Sequence, residues 1–325
     1  MTKEIKKSME LGGRTLTLET GTMARQSAGS ILLTYGETVI LVAVNASSSP
    51  REGIDFFPLS VEYRERGYAA GKIPGGYFKR EGRPTEKEIL AARLTDRPIR
   101  PLFPEGFRCE TQIFINLLST DQENPADTLG TVGTSAALMS SDIPWNGPIA
   151  AVRIGLVNDK MVLNPTYEQI VDSKIDMVVT GNEESVIMIE GESKEASEDE
   201  ILSAVQYAHE AIRDIIKFQK EFCSELSIEK REFDISQIDA DLETKTIENI
   251  GSRMADILKI QDKGERKDAQ SDLTNEIIEA MEEEFPEQDG EIRKLVTAQY
   301  KKELRSNILK GIRVDGRAMD EIRPI

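Results

Sequence analysis

The chain has 325 residues, of which 39% are apolar, and its formal net charge is −17. This length predicts more than one domain, and no apolar run approaches the roughly 20 residues of a membrane span. A single histidine, His209, argues against Ser–His–Asp triads and His-based zinc sites, and Cys109 and Cys223 form no metal or redox motif. The N-terminus lacks a secretory pattern, and two thiols fit a reducing compartment, so we expect a cytoplasmic protein without a membrane segment.

Strand patterns fill much of the first 190 residues. Ser30–Tyr35 and Thr38–Val44 are β-rich runs separated by Gly36 and Glu37, which predicts a hairpin. Further strands are predicted at residues 14–19, 57–63, 112–119, 149–156, 161–163, 177–180 and 186–189. The repeated hairpins favour a mixed sheet over a doubly wound parallel one.

Three helices are predicted among these strands. Thr85 and Glu88 form a capping-box pattern, and Pro98 is expected to end the helix that follows. Residues 128–140 are small and apolar, which suits a buried helix. Ser197 and Glu200 form a second capping box ahead of a long amphipathic helix. His209 lies beside the apolar face of that helix, so we expect it in the core or at its boundary.

From about residue 235 the pattern becomes helical throughout. Helices are predicted at 238–260, 268–285 and 291–309, with Gly264 and Pro286 between them. The chain therefore divides into an α/β (α+β) mixed-sheet domain at 1–234 and an acidic all-helical domain at 235–310. The remaining segment, 311–325, has an Asp-Gly turn and then an apolar end that suggests a new strand. We expect it to begin a further domain.

The charge is unevenly distributed. Residues 64–108 carry eleven Lys or Arg and six Asp or Glu, a balance of +5, whereas residues 183–245 carry seven and eighteen, a balance of −11. A basic island in an acidic protein can bind a polyanion if it lines a confined site. The alternative is an ordinary solvated surface with internal ion pairs.

Several ordered motifs resemble the bacterial polynucleotide phosphorylase family. They are found at Glu19–Ser30, Asp55–Ser60, Tyr68–Gly76, Tyr77–Pro84 and Asp96–Gly106. The final segment, Gly311–Ile325, resembles the opening of a ribonuclease PH-type domain. The resemblance extends over essentially the whole chain.

This resemblance implies a ribonuclease PH-like core domain, a helical domain and the first residues of a second core. It implies a phosphorolytic 3′-to-5′ exoribonuclease of mRNA degradation, which uses inorganic phosphate and Mg²⁺ and releases nucleoside diphosphates. The metal site is expected in the second core. The implied partners are single-stranded RNA, further copies in a ring-shaped homotrimer and other proteins of RNA degradation, but not DNA.

The segment 77–83 is the leading candidate for RNA contact. Tyr77 and Phe78 offer stacking faces beside the cations Lys79, Arg80 and Arg83. The resemblance implies that this loop grips single-stranded RNA; a loop packed against its own domain is the alternative.

Arg93, Arg97 and Arg100 form a second basic set on the predicted helix. Arg93 and Arg97 are one helical turn apart, so both can face the same way. They either contact RNA phosphates or pair with Asp96, Glu86 and Glu88.

The chemistry of catalytic family members is expected to be missing. The resemblance implies that they bind phosphate at a serine-rich helix start, where this chain has Pro125-Ala-Asp127. They also use an Asp-x-Asp-x-Lys cluster, whose counterpart here begins at Asp172 and keeps Asp176 but has Val178 in place of lysine. We therefore expect no catalytic residue in this chain. One alternative is a weakly active core in which Asp172 and Asp176 hold a divalent ion, and another is a noncatalytic scaffold that binds RNA or proteins.

Overall fold

The computed structural model describes residues 3–51, 53–54, 56–77, 79–233 and 239–324. Backbone contacts divide the chain into two units, Met1–Ile235 and Ser236–Ile325. The predicted site residue Phe78, the motif residue Asp55 and the predicted domain boundary at 234 and 235 lie outside the described residues. None of the described helices combines the length and the apolar character that crossing a bilayer requires.

A six-stranded sheet forms one layer of the first unit. Its strands are β1 (Ile5–Leu11), β2 (Arg14–Thr20), β3 (Gly29–Tyr35), β4 (Thr38–Ala46), β5 (Leu59–Glu65) and β6 (Thr111–Ser119). Their spatial order is β1-β2-β3-β4-β6-β5. All neighbours are antiparallel except β5 and β6, which are parallel, so the predicted mixed sheet is confirmed.

A second sheet contains four antiparallel strands. They are β7 (Ala150–Val157), β8 (Lys160–Leu163), β9 (Ile175–Gly181) and β10 (Val186–Ser193), in the order β10-β9-β7-β8. All the predicted strands occur, with ends shifted by a few residues. The sequence did not predict β1, because its run alternates Lys, Ser and Glu with few apolar residues, and only Ile5 and Leu11 are buried.

The described residues of the first unit also form four α-helices: α1 (Glu86–Ile99), α2 (Asp127–Met139), α3 (Tyr167–Asp172) and α4 (Glu198–Cys223). Both predicted capping boxes are present, at Thr85 and at Ser197. Helix α2 contacts both sheets and is buried along most of its length, as its composition predicted. The sequence reasoning missed α3, although Thr166 and Gln169 form a third capping box there.

The expectation that Pro98 ends its helix was wrong. Helix α1 continues to Ile99, and the Arg100 amide still donates to the Asp96 carbonyl. Pro98 lacks only its own amide hydrogen bond, and its ring is buried in the last turn. The burial of Pro98 and Ile99 offsets the loss of one hydrogen bond in this position.

The described part of the second unit, residues 239–324, has four helices rather than the three predicted: α5 (Ala240–Ile250), α6 (Arg253–Ile257), α7 (Lys263–Met281) and α8 (Asp289–Leu309). Gly251 divides the first predicted helix, since its φ of 52° is incompatible with a continuing right-handed helix. Gly264 lies inside α7 instead of before it, because Asp262 caps the helix by accepting from the amides of Gly264 and Glu265.

The segment after α8 forms turns, and residues 311–324 contain no strand. Gly316 has a φ of 77° and its amide donates to the Arg313 carbonyl, which confirms the predicted Asp-Gly turn. Arg313 also donates to the carbonyls of Ala318 and Glu321. The expected beginning of a strand is therefore wrong for the described part of this segment.

Candidate functional site

The segment between β5 and α1 exposes aromatic and cationic side chains together. Tyr77 is 91% exposed, and Tyr68 and Ile73 are also exposed. Lys79, Arg80 and Arg83 are exposed, and none of them forms an ion pair with the described residues. Between residues 77 and 83 the described residues thus present the ring of Tyr77 and three positive charges to the solvent.

Two contacts fix the base of this loop. The Glu81 carboxylate accepts from the Gly67 amide at 2.9 Å, and the Gly82 carbonyl accepts from Arg64 at 3.1 Å. The capping box of Thr85 and Glu88 then starts α1. The loop is therefore held at its C-terminal end, at residues 81–85, while its cations remain at the surface.

The second basic set separates into three environments. Arg100 is bound within the fold: it contacts both Asp96 oxygens, at 3.1 and 2.6 Å, and donates to the carbonyls of Phe57 and Leu59. This confirms the pairing with Asp96 for Arg100. Arg97 instead pairs with Glu190 on β10, which the sequence did not indicate.

Arg93 is exposed and lines a cleft of about 570 Å³ between β5 and α1. It forms no ion pair with Glu86, Glu88 or Asp96 in the described residues. Of the second basic set, Arg93 is therefore the member whose guanidinium the fold leaves most available.

A second cleft of about 560 Å³ lies between the start of α1 and the strands β7, β9 and β10. Its charged residues are mostly acidic: Glu86, Asp127, Asp176, Glu190 and Glu192 against Lys87 and Arg153. The helix start at Asp127 and the β9 segment around Asp176 both belong to this cleft. The fold thus brings together the two segments that differ from catalytic family members, one at the expected phosphate-binding helix start and one at the expected Asp-x-Asp-x-Lys cluster.

Arg153 links the two carboxylates of this cleft. Its guanidinium donates to Asp127 at 2.6 Å and also to Asp176, and all three side chains are largely buried. Burial alone would lower the pKa of Arg153, but the two carboxylates more than offset it and raise that pKa above its ordinary value. The three residues form an ion triad.

The secondary structure determines this geometry. Arg153 lies on β7 two residues before Gly155, and Gly155 pairs with Asp176 on the neighbouring strand β9. Residues two apart on a strand face the same side of the sheet, so the side chains of Arg153 and Asp176 both point to this cleft. Asp127 is the first residue of α2, and its carboxylate also accepts from the Thr128 amide at 2.8 Å. The negative charge of Asp127 at the helix start is therefore paired with the positive charge of Arg153.

The residues of this cleft do not fit a divalent metal. Within the described ranges, no group of three or more His, Cys, Asp or Glu is arranged to hold a metal ion. Asp172, which would share an ion with Asp176, is exposed at the end of α3, whereas Asp176 is paired with Arg153. Val178, at the position expected for a lysine, is buried against the cleft.

Sequence reasoning did not identify Arg153, although a signal was present. Residues 150–157 form an otherwise apolar strand, and a single arginine in such a strand requires a charged partner when the strand is buried. The sequence does not show which carboxylates supply it, because Asp127 and Asp176 lie 26 and 23 residues away.

Three family models match successive parts of the chain. Residues 12–144 match 3′ exoribonuclease family, domain 1, and residues 147–211 match domain 2 of the same family. Residues 241–318 match the model described as polyribonucleotide nucleotidyltransferase, RNA binding domain. The family assignment therefore extends over both structural units.

Curated relatives and a solved structure agree with these matches. The chain is 46% identical to polyribonucleotide nucleotidyltransferases of Heliobacterium modesticaldum and Thermomicrobium roseum, over 98% of its length and 45% and 42% of theirs. It thus spans somewhat less than half of these relatives. The crystal structure of rice (Oryza sativa) Rrp46 shares the fold, with a TM-score of 0.51 and 14% identity over 69% of this chain and 96% of that one. The chain therefore belongs to the 3′ exoribonuclease family, within its polyribonucleotide nucleotidyltransferase group.

Proposed function

We propose that this chain guides single-stranded RNA within a phosphorolytic 3′-to-5′ exoribonuclease and does not itself carry the phosphorolytic centre. The observation that carries the proposal is the loop at 77–83, where an exposed tyrosine stands beside three exposed cations that have no ion-pair partner in the described chain. A ring face stacks on any base, and each cation attracts a phosphate. The loop is thus suited to RNA of any sequence.

The cleft at Asp127 supports the noncatalytic part of this proposal. Phosphorolysis requires a cationic or amide-rich site for phosphate and a positive charge near the leaving oxygen. Here the helix start bears a carboxylate, the cleft is acidic, and its one buried cation is already bound by two carboxylates. Neither requirement is met by these side chains.

The helical unit provides a second candidate RNA contact. It matches a model described as an RNA binding domain, although the unit as a whole is acidic. Its positive charge is concentrated on α8, where residues 293–310 carry six Lys or Arg and one Glu. Lys301, Lys302 and Arg305 are exposed there. We propose these cations as the RNA-contacting face of the unit.

The properties of the whole enzyme are part of the same proposal. The full-length protein is expected to need inorganic phosphate and Mg²⁺, to form a homotrimeric ring and to act in mRNA degradation in the cytoplasm. Other RNA-degradation proteins are its expected protein partners. Group membership supports these expectations, and the alternatives are a weakly active core and a scaffold that binds proteins.

RNA binding is tested by fluorescence anisotropy with a labelled single-stranded RNA. We expect Lys79→Ala/Arg80→Ala/Arg83→Ala to weaken binding at least tenfold, and Tyr77→Ala to weaken it further, since stacking contributes roughly 1–3 kcal/mol per base. The matched control is Lys6→Ala/Lys160→Ala/Lys217→Ala, which removes three exposed cations elsewhere in the unit. Equal affinities of the two triple variants would contradict the role of the loop.

The α8 contact is tested in the same assay with Lys301→Ala/Lys302→Ala/Arg305→Ala. A weakened affinity, compared with the same control, supports it. Catalysis is tested with 5′-labelled RNA and Mg²⁺, with and without inorganic phosphate. We expect no shortening in either condition; phosphate-dependent release of nucleoside diphosphates would show that this chain has its own active centre.

A further inference from the structure

We infer that Arg153 takes the place of a divalent metal between Asp127 and Asp176, so that an internal ion triad closes this cleft to metal ions. The cleft places two carboxylates close together, as a metal site does, yet the guanidinium bridges them. This inference concerns the first unit alone. It does not depend on the loop binding RNA, and its test uses no RNA.

Within the triad, the carboxylates of Asp127 and Asp176 are paired with Arg153, so they are not available to a metal ion. Arg153 supplies a fixed positive charge between two carboxylates, as a metal would, but through hydrogen bonds from its two terminal nitrogens. Asp127 supplies a fixed negative charge at the first turn of α2, where its carboxylate accepts from the Thr128 amide. A helix N-terminus attracts anions, and here an internal carboxylate occupies that position.

The acidic lining of the cleft and its opening to solvent explain why a metal ion would enter if Arg153 were replaced by an uncharged residue. The cleft opens to solvent beside α1, and Glu86, Glu190 and Glu192 also line it. Without the guanidinium, Asp127 and Asp176 would be two largely buried carboxylates with no cation between them, which is strongly unfavourable. Oxygen ligands are those that Mg²⁺ and Mn²⁺ prefer. Replacing Arg153 by an uncharged residue should therefore create a divalent-ion site between Asp127 and Asp176, where the natural chain has the ion triad.

The experiment compares Mn²⁺ binding by the natural chain, Arg153→Met, and Arg153→Met/Asp127→Asn/Asp176→Asn, followed by electron paramagnetic resonance. An acidic protein binds Mn²⁺ weakly at many places, so the measured quantity is the difference between variants. We expect Arg153→Met to bind one more equivalent than the natural chain, and the triple variant to lose it. Mg²⁺ in excess should displace the additional ion.

A stability measurement keeps the test decisive if Arg153→Met folds poorly. Mn²⁺ should raise the urea midpoint of Arg153→Met, or restore its folded circular dichroism signal, and should leave the natural chain and the triple variant almost unchanged. The inference is overturned if Arg153→Met gains neither an equivalent of Mn²⁺ nor stability from it. It is also overturned if the natural chain already binds an equivalent that Asp176→Asn removes. Neither result would bear on the RNA-binding loop.

Discussion

The Ser135 hydroxyl on α2 donates a hydrogen bond of 2.7 Å to the side-chain oxygen of Gln219 on α4, and both residues are fully buried. The Gln219 amide group donates to the Ile149 carbonyl at 2.9 Å, and the Ile149 amide donates to the Ser135 hydroxyl at 3.0 Å. The three residues thus form a closed polar network within the core. It joins two helices and the beginning of β7, so it fixes how α4 lies against α2.

We expect Gln219→Leu to lower the free energy of unfolding by about 1–3 kcal/mol, because it leaves the Ile149 carbonyl buried without a donor. The control is Gln206→Leu, which replaces an exposed glutamine on the same helix and should change stability by less than about 0.5 kcal/mol. Urea denaturation followed by circular dichroism measures both. Equal losses would show that the network contributes nothing specific.

Arg100 provides a second stability prediction. Its guanidinium donates to Asp96 and to the carbonyls of Phe57 and Leu59, at the beginning of β5. A lysine ammonium cannot reproduce this planar set of hydrogen bonds. Arg100→Lys should therefore cost about 1–2 kcal/mol. The control is Arg93→Lys on α1, the helix that Arg100 caps, because the Arg93 side chain is exposed. It should have almost no effect on the urea midpoint. If Arg93→Lys lowered the urea midpoint and Arg100→Lys did not, the contacts of Arg100 would not be the source of the stability.

The start of α4 predicts a pH dependence. Hydrogen bonds from Lys174 and from Ser197 lower the pKa of Glu200 from 4.5 to about 2. Because the folded pKa lies below the unfolded one, the ionised carboxylate stabilises the fold above about pH 4.5, and this contribution is lost as the pH falls towards 2. Glu200→Gln should remove that part of the acid sensitivity.

The measurement is the difference in unfolding free energy between the natural chain and Glu200→Gln at several pH values. This difference should be largest near neutral pH and should shrink below about pH 4.5. Glu198→Gln, on the same exposed helix turn, serves as the control because Glu198 does not complete the capping box. A difference independent of pH would disprove the assignment to Glu200.

Gly251 makes the helical unit sensitive to one methyl group. Its φ of 52° and ψ of −135° lie in a region that residues with a Cβ atom avoid. Gly251→Ala should therefore lower stability by about 1–3 kcal/mol. Gly290→Ala is the control, since a Cβ atom there meets no atom within 4 Å and the backbone φ is not positive. Thermal unfolding of the two variants should separate clearly.

Salt dependence tests the physical nature of RNA binding. Each phosphate contact on a single strand lowers the logarithm of the affinity by about 0.7 for each unit in the logarithm of salt concentration. If Lys79, Arg80 and Arg83 each neutralise one phosphate, the total decrease should be about 2. The triple alanine variant should show a slope that is flatter by that amount. Affinity that does not change with salt would exclude phosphate contacts by the loop.

Local patterns determined most of the secondary structure. The sequence predicted the strands of the 30–44 hairpin and both capping boxes correctly, because turns and helix starts depend on residues that are neighbours in the chain. The failures also have local explanations. Strand β1 carries few apolar residues, and Pro98 sits in a last turn whose burial compensates for its missing amide. The apolar end of 311–325 suggested a strand, but the contacts of Arg313 with nearby carbonyls hold the described part in turns.

The sequence by itself determined the family, the mixed-sheet fold and the composition of the candidate loop, since these depend on ordered motifs and periodicity. Only the tertiary structure decided which charges meet. Asp127, Arg153 and Asp176 belong to three elements, and Ser135 and Gln219 are 84 residues apart. Pairing of buried polar groups is governed by distance in space and by the cost of leaving a charge unpaired, and neither quantity is encoded in the spacing along the chain.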